Sequence, residues 1–452
     1  MSTLITHPEA LDRGSVLAPG DPAWDATRLA FNLLVQQRPE SIAVPRTADE
    51  VAAVVAEARR RGLRLAPQST GHNAGPLGPL DDTMIVNTSR LKEIRVDAAS
   101  RRVRVGAATR WRDVTPQLSD LGLAALHGSS PDVGIMGYSL GGGIGWLARK
   151  HGMQTNAVTA IELVTADGAL RRVDPDHEAD LFWAQRGGGG NFGVVTAVEF
   201  EVFRQPEVYA GAMFFPIERA AEVLHAWTAL MPQLPEELTS WTTLLHFPPA
   251  PEVPEPVRGR SFVIVMAAHL GDEREGRALL APLRRLGPEL DTFATQAPIG
   301  LAKLAMDPEE PLPFRSATAL LDGLPGDAIE KVAAVAGAGS SLAMVQLRHQ
   351  GGALSRPAPG GGARSTLPGE VVMMALGVVP EPALEPVVVD QLRELSAAVA
   401  PRRVGDYPNF VEEPADASGF FDPATWRRLR EVKAAYDPED LFRANHHIPP
   451  AR

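Results

Sequence analysis

Apolar positions near the N-terminal end change period in a way that predicts a mixed unit. Ile42-Ala-Val-Pro45 reads as a short strand. Thr47 and Glu50 then stand at capping-box spacing ahead of Val51, Val54, Val55 and Ala58, which recur on one helical face. Gly62 ends that helix and Leu63 to Pro67 return as a second strand, so a β-α-β unit is expected. Further short strands are expected at Arg102 to Val105 and Ala160 to Val164, the latter closing in a turn at Asp167-Gly168. After Gly193 the run Val-Val-Thr-Ala-Val-Glu-Phe-Glu-Val-Phe alternates over its later part, as a strand with one wet face does.

From about residue 205 the texture changes. The pattern predicts a helix over 218–232, a strand over 241–247, a Pro-rich break at 248–259, a strand over 261–269 and a helix over 273–286. The order then recurs, with a helix over 324–336, strands near 343–351 and 371–378, and a helix over 384–399. Two α-β-β-α passes side by side predict one antiparallel sheet with helices on a single face, leaving the other face free to cover something. Asp422-Pro423 marks a last helix start, Trp426, Leu429 and Val432 share its stripe, and Asp437-Pro438 ends it. The expected class is α+β, with one domain over 1–204, a second over 205–400, and a segment over 401–452 returning to the first.

Composition narrows the field. A chain of 452 residues, 44% hydrophobic and 22% charged, is long enough for two packed cores and unlike disordered, collagen-like or coiled-coil sequences. A formal net charge of -11 argues against a broad electrostatic grip on nucleic acid. The absence of cysteine removes disulfides, thiolate metal sites, iron–sulfur clusters and cysteine nucleophiles together, and no metal is expected. No basic start leads into an apolar stretch, and no run of about 18 apolar residues follows, so a soluble cytoplasmic protein without a membrane partner is expected.

Three stretches carry candidate chemistry. In Pro67-Gln-Ser-Thr-Gly-His-Asn-Ala-Gly75, a strand runs into small residues around one histidine, and small side chains let backbone N–H groups approach a phosphate. A lone loop histidine is equally what an exposed polar loop carries. Between His127 and Gly145 many glycines are spent in few residues, which suits a backbone that something approaches closely. Gly143, Gly145 and Ala148 also spell a nicotinamide-binding turn, with Glu162 and Asp167 as ribose acids. That turn needs a buried strand before it and a full helix after it, whereas Tyr138-Ser139 precede it and the helical piece stops at Gly152. Asp180 to Val195 is a third glycine-rich loop feeding a strand, which taken alone reads as a long hairpin.

Together, in this order and spacing, the three stretches resemble the berberine bridge enzyme-like branch of the vanillyl-alcohol oxidase superfamily. The similarity spans nearly the whole chain, including Tyr407-Pro-Asn-Phe410 and the closing segment LREVKAAYDPEDLFRANHHIPP. It implies the two-domain PCMH-type FAD-binding fold, in which the antiparallel sheet covers the flavin and holds the substrate. It also implies FAD linked covalently through His72 to the flavin C8 methyl. Ser130 stands where many members place a second, cysteine tether, so that tether is absent.

The implied cradle comprises Gln68, Ser69, Thr70, Gly71, His72, Asn73, Gly128, Ser129, Ser130, Val133, Gly134, Gly137, Tyr138, Gly141, Gly142, Gly145, Val195, Asn409 and Asn445. Tyr138 occupies a position where the family often has histidine near the ribityl chain; it can donate a hydrogen bond but supplies no cation at neutral pH. Asn409 matches a residue facing the flavin ring, Tyr407 one near the substrate, and Val133 one that leaves a pocket open to dioxygen. These four are the implied catalytic set. The implied reaction removes a hydride from a small-molecule alcohol, amine or polycyclic metabolite to flavin N5 and passes electrons to dioxygen, giving hydrogen peroxide.

The base is open among Tyr407, His246, His269 and His349, and Leu245, Phe247, Met266, Met344 and Met373 are candidates for an apolar substrate face or for plain core. Competing readings are a dehydrogenase with another electron acceptor, a non-catalytic flavin or small-molecule binder, and, remotely, a nicotinamide dehydrogenase.

Overall fold

The computed structural model describes residues 16–452. The predicted β-α-β unit forms from strand β1 (Ser41–Ala43), helix α1 (Ala48–Arg61), strand β2 (Arg64–Gln68) and strand β3 (Thr83–Asn87), with β1 and β2 both parallel to β3. Thr47 caps α1 by accepting from the Glu50 amide, and Gly62 closes it at φ +66°, a conformation that favours glycine.

A second sheet in this half runs β4 (Ile94–Asp97), β5 (Arg102–Gly106), β8 (Val194–Glu201), β6 (Val158–Val164) and β7 (Leu170–Val173), all antiparallel. Helix α2 (Ile135–Gly141) lies between β5 and β6, and helix α3 (Ala179–Gly188) between β7 and β8. The second corrects the sequence reading. The start of the third stretch is helical rather than a hairpin loop, because Leu181, Phe182 and Ala184 bury one face. The helical geometry breaks at Gly187, φ +116°, which opens the glycine run.

The second half is one antiparallel sheet of nine strands. Its main strands are β9 (Val208–Pro216), β10 (Leu238–His246), β11 (Ser261–His269), β12 (Phe314–Leu321), β13 (Met344–His349) and β14 (Val371–Val378), in the order β9-β11-β10-β13-β14-β12. Short strands Leu290–Asp291, Ala294–Gln296 and Arg403–Gly405 finish the edges. Helices α4 (Ala220–Leu230), α5 (Gly326–Ala336) and α6 (Glu385–Val399) cover one face. Each pass is therefore β-α-β-β-α, and the sequence pattern omitted the first strand of each. In β9 the reason is physical: eight consecutive residues are buried, so no alternation marks it as a strand. The helix expected over 273–286 is broken into Glu273–Leu279 and Ala281–Arg284, with Pro282 at the start of the second piece.

Pleating divides this sheet's side chains by parity. Met213, Phe215, Val263, Val265, Leu347, Met373 and Ala375 pack under the helices, so Met373 is core and not substrate face. Ala210, Ala212, Trp241, Ile264 and Met266 point the other way, against Trp146 and Leu147 of the first half. Trp146 and Trp241 stack with ring centroids 3.6 Å apart.

Helix α7 (Pro423–Tyr436), capped by Asp422, returns the chain to the first half. At its end Lys433 and Asp437 are both fully buried and ion-paired. The Lys433 ammonium also donates to the Asn191 carbonyl at 2.7 Å and the Phe442 carbonyl at 3.1 Å, while Asp437 accepts from the amides of Leu441 and Phe442. The following chain joins β2 through Leu65, whose amide donates to Leu441 and whose carbonyl accepts from the Arg443 amide. Removing one charge strands the other in the core, so Lys433→Met is expected to cost about 3–5 kcal/mol in urea unfolding. A loss below about 1 kcal/mol would contradict this account.

Candidate active site

A cavity of about 340 Å³ lies between the first half and the uncovered face of the large sheet. Its floor is built by bends that follow strands. After β2 the chain turns at Gly71, φ +71°, where the glycine carbonyl accepts from the Phe31 amide. Among the described residues, the amides of Thr70, Gly71, His72 and Asn73 donate to no protein acceptor. Those of Ser129 and Ser130 are free in the same way. Buried N–H groups are ordinarily paired, so runs of free amides lining a cavity are suited to an anion or another acceptor-rich ligand.

His72 stacks on Phe31, ring centroids 4.0 Å apart at 16°. Its Nδ1 lies 2.7 Å from Thr70 Oγ1, and its Nε2 is buried without a hydrogen-bond partner, 3.9 Å from an oxygen of Asp132. Burial pushes its pKa down to about 4 against the pull of Asp132, whose own charge is shared with Arg110 and Arg112. The ring is therefore neutral at pH 7, with a lone pair on one nitrogen.

The opposite wall comes from the segment after α6. Asn409 Nδ2 donates to the Tyr138 carbonyl at 3.1 Å and to the Tyr407 hydroxyl at 3.0 Å, and that hydroxyl also accepts from the Gly143 amide at 2.7 Å. A Cβ at position 141 would stand 1.8 Å from Asn409 Oδ1, so glycine there is a packing requirement. Burial drives the Tyr407 pKa up to about 12 despite those two donors. The phenol stays protonated at neutral pH and is poorly suited to act as a base.

The structure brings Gln68 to Asn73, Gly128, Ser129, Ser130, Val133, Gly134, Gly137, Tyr138, Gly141, Val195, Tyr407, Asn409 and Asn445 together around this one cavity. Gly142 and Gly145 stand behind the wall instead. A Cβ at 145 would lie 1.8 Å from the His127 carbonyl, and one at 142 would press on Tyr407 at 3.2 Å, so these glycines serve chain packing. Tyr138 lines the cavity, but its hydroxyl donates to the Leu126 carbonyl at 2.9 Å and is already committed.

None of the three cover-strand histidines lines the cavity. His246 is held by Ser261 and the Ala336 carbonyl, His269 pairs with Glu275, and His349 projects to the other side of β13 from Arg348. Of the apolar cover residues named from sequence, Met344 lines the cavity, while Leu245, Phe247 and Met266 pack elsewhere.

Sequence reasoning missed Phe31, the glycines 187 to 190, Asn191, Glu412 and His446, and on the cover sheet Phe314, Arg348, Met374 and Leu376. The glycine run was visible as a motif but gave no sign of facing the same space. The cover residues lie on strands more than 200 positions from His72, and only the fold brings them near.

The donor set fits a large, phosphate-bearing aromatic cofactor. Free amides offer anion contacts, glycines admit close approach, and Gly137 borders the cavity with no protein atom within 4 Å of where its Cβ would be. Nothing in the protein itself demands glycine at that position, whereas a bound group filling the cradle would.

Comparison with known proteins agrees. Residues 39–174 match the family described as FAD binding domain, and residues 418–449 match the family described as berberine and berberine like. The chain is 28% identical to (R)-6-hydroxynicotine oxidase of Paenarthrobacter nicotinovorans over 468 aligned positions, covering 100% of this chain and 99% of that one. Glucooligosaccharide oxidase of Sarocladium strictum is 36% identical over 188 residues, 41% of this chain and 38% of that one. Among solved structures, 6-hydroxy-D-nicotine oxidase from Arthrobacter nicotinovorans superposes with a TM-score of 0.84 at 26% identity, covering 99% of this chain and 100% of that one. Physcomitrella patens BBE-like 1 shares the fold, with a TM-score of 0.85 at 20% identity over 97% of each chain. With the glycine-lined cradle, the cover sheet and the closing helix all in place, this chain is an FAD-linked oxidoreductase whose FAD-binding domain and closing segment match those of the berberine bridge enzyme-like oxidases.

Proposed function

We propose that the chain holds FAD in this cavity by a single covalent bond to His72 and oxidises a small-molecule alcohol, amine or polycyclic metabolite, with dioxygen as the electron acceptor. The observation that carries the reading is the bend from Thr70 to Asn73, where four unpaired amides flank a part-buried, neutral imidazole. Bound there, FAD supplies a two-electron acceptor that oxidises a substrate C–H and delivers the electrons to dioxygen as hydrogen peroxide.

The protein's own contributions are binding, orientation and exclusion of water. Phe31 and Thr70 fix the plane and rotation of the His72 ring. A neutral imidazole keeps the lone pair that attachment requires, so the low pKa supports tethering at physiological pH. Ser130 cannot replace a thiolate tether, which leaves His72 as the proposed sole attachment. Asn409 and Tyr407, hydrogen-bonded to each other and to the backbone of α2 and the residue two beyond it, hold the wall rigid. Met344, Met374 and Leu376 give the substrate side an apolar surface. Val133 lines the cavity on the cradle side, where its small side chain leaves room for dioxygen.

The relatives support the substrate class by their names, which cover a hydroxynicotine and oligosaccharides. The geometry narrows it toward partly apolar molecules.

Acid precipitation of the purified protein is expected to leave yellow colour in the pellet, and His72→Ala to release it into the supernatant. Colour shed completely by the parent protein overturns the tether. In Val133→Leu, reoxidation of the reduced flavin under air is expected to slow by about tenfold, equivalent to ~1.4 kcal/mol in the barrier. Stopped-flow traces superimposable on those of the parent remove the gating role.

Glu412 provides a pH-dependent check on cavity burial. Its carboxyl borders the cavity with one oxygen unpartnered, and burial with Glu413 nearby pushes its pKa up to about 8. The folded protein thus keeps a proton that the unfolded chain loses near pH 4.5. Its stabilising contribution is complete below about pH 4.5 and is lost as pH rises toward 8. Glu412→Gln is expected to flatten the fall in urea stability between pH 5 and 8 by roughly 2 kcal/mol, allowing for solvent screening. Parallel pH profiles for parent and variant would show the carboxyl to be solvated.

A further inference from the structure

Arg348, on β13, is 3% exposed and lines the cavity from the cover side. Among the described residues it is the only lysine or arginine in that lining. Its guanidinium lies over the Trp241 ring at 4.1 Å and the Phe410 ring at 4.8 Å, so it is confined between two aromatic faces. Its hydrogen bonds go to neutral oxygens, from Nε to Gln346 Oε1 at 2.6 Å and from Nη2 to Ser129 Oγ at 3.0 Å. Among the described residues, no carboxylate lies within 4.0 Å of it, and Nη1 makes no hydrogen bond to protein.

Such a charge is costly where it stands. An arginine does not shed its proton in a protein, and a buried ion without a counterion loses hydration that neutral acceptors replace only in part. The other buried arginines of the chain resolve the problem differently. Arg149 donates to the carbonyls of Leu234, Pro235, Leu238 and Gln350 and tethers segments together, Arg186 donates to the Phe182 and Gly360 carbonyls, and Arg364 donates to the Phe420 carbonyl; none of the three lines the cavity. Arg348 alone is aimed into the chamber with donor capacity left over. Asp307 also borders the cavity, but its charge reaches Arg348 only from beyond ion-pair distance. On the same face of β13 and the adjoining β14, Met344, Met374 and Leu376 form an apolar surface beside the cation.

We propose that Arg348 is the anion-binding subsite of the substrate chamber, so that the molecule oxidised here carries a carboxylate on an otherwise apolar, ring-sized body. This rests on the reading of the cavity as the substrate chamber of a flavin oxidase. The free Nη1 and the neighbouring Nη2 edge present the paired donors that a carboxylate takes in a fork. Trp241 and Phe410 hold the fork in one plane, which limits the ordering entropy lost on binding. Through Ser129, the same guanidinium is fixed to the cradle loop beside Ser130, so the bound anion sets the distance of the substrate body from the flavin side.

The test is calorimetric titration of the flavin-loaded protein with benzoate and with its uncharged counterpart benzamide, near pH 7 and without turnover. Benzoate is expected to bind about tenfold or more tighter than benzamide, as a charge-assisted pair in a dry site should. Arg348→Met is expected to erase that preference while keeping benzamide affinity within about threefold, and Arg348→Lys to keep part of it, since lysine retains the charge but loses the fork. Should Arg348→Met fail to fold, the comparison of parent with Arg348→Lys still decides, because a smaller benzoate preference in the lysine variant is required. Equal affinities in the parent overturn the proposal. So does a benzoate preference that survives in Arg348→Met while the flavin midpoint potential falls, a result that would make the cation a support for reduced flavin. An Arg348-dependent preference in protein that carries no flavin would leave the subsite standing and remove the oxidase reading; yellow, active protein without any preference would do the reverse.

Discussion

Unpaired backbone amides in the bend after β2 set the terms for everything around them. An N–H at a cavity wall without a protein acceptor is left for a ligand to satisfy, and the fold presents several within a few residues. That arrangement persists because the surroundings hold it fixed. Gly71 supplies the turn, Phe31 closes over the histidine, and Asn73 is tied to the Val411 carbonyl at 3.0 Å and to Asn445 at 3.2 Å. The buried Lys433–Asp437 pair stands at the end of the same chain of contacts, fixing the segment that carries Asn445 and His446 to the cavity.

The cover sheet contributes through parity. Odd-numbered residues of β13 and β14 anchor the sheet to its helices, and even-numbered residues face the first half, so one hydrophobic period builds both a core and a chamber roof. Trp146, Trp241, Arg348 and Phe410 form a continuous stack from the first half through the roof to the wall. It links cradle and cover mechanically, because three large aromatic side chains and a guanidinium held between two of them pack face to face.

Charge inside the cavity is sparse. His72 is neutral at pH 7, Tyr407 is protonated, and Glu412 keeps its proton to about pH 8, each because burial opposes the ionic form. Against that background the fixed charge on Arg348 weighs heavily, since an ion in a weakly screened space acts at full strength on what enters. The histidines marked from sequence as possible bases are absent from the lining because strand pleating and helix packing turn them elsewhere, which no local pattern records.

How much was legible from the chain follows from where the information lies. Local signals sufficed for the capped helix between Thr47 and Gly62, the strands 261–269 and 371–378, the terminal helix behind Asp422, and the bend around His72, because caps, turns and alternation are written in neighbouring residues. Strand β9, buried on both faces, left no alternation to read, and β12 was missed with it, although together they begin the two passes of the sheet. The sequence by itself determined the family resemblance, the α+β class and most of the residues that line the first-half side of the cavity, since those residues cluster in short stretches with their own backbone demands. Only the tertiary structure decided that Gly142 and Gly145 serve packing, that the run from Gly187 to Gly190 faces the cradle, and that Arg348 stands over Ser129 from 219 positions away. Which face a strand turns toward a cavity depends on its partners, and a chain read residue by residue does not contain that choice.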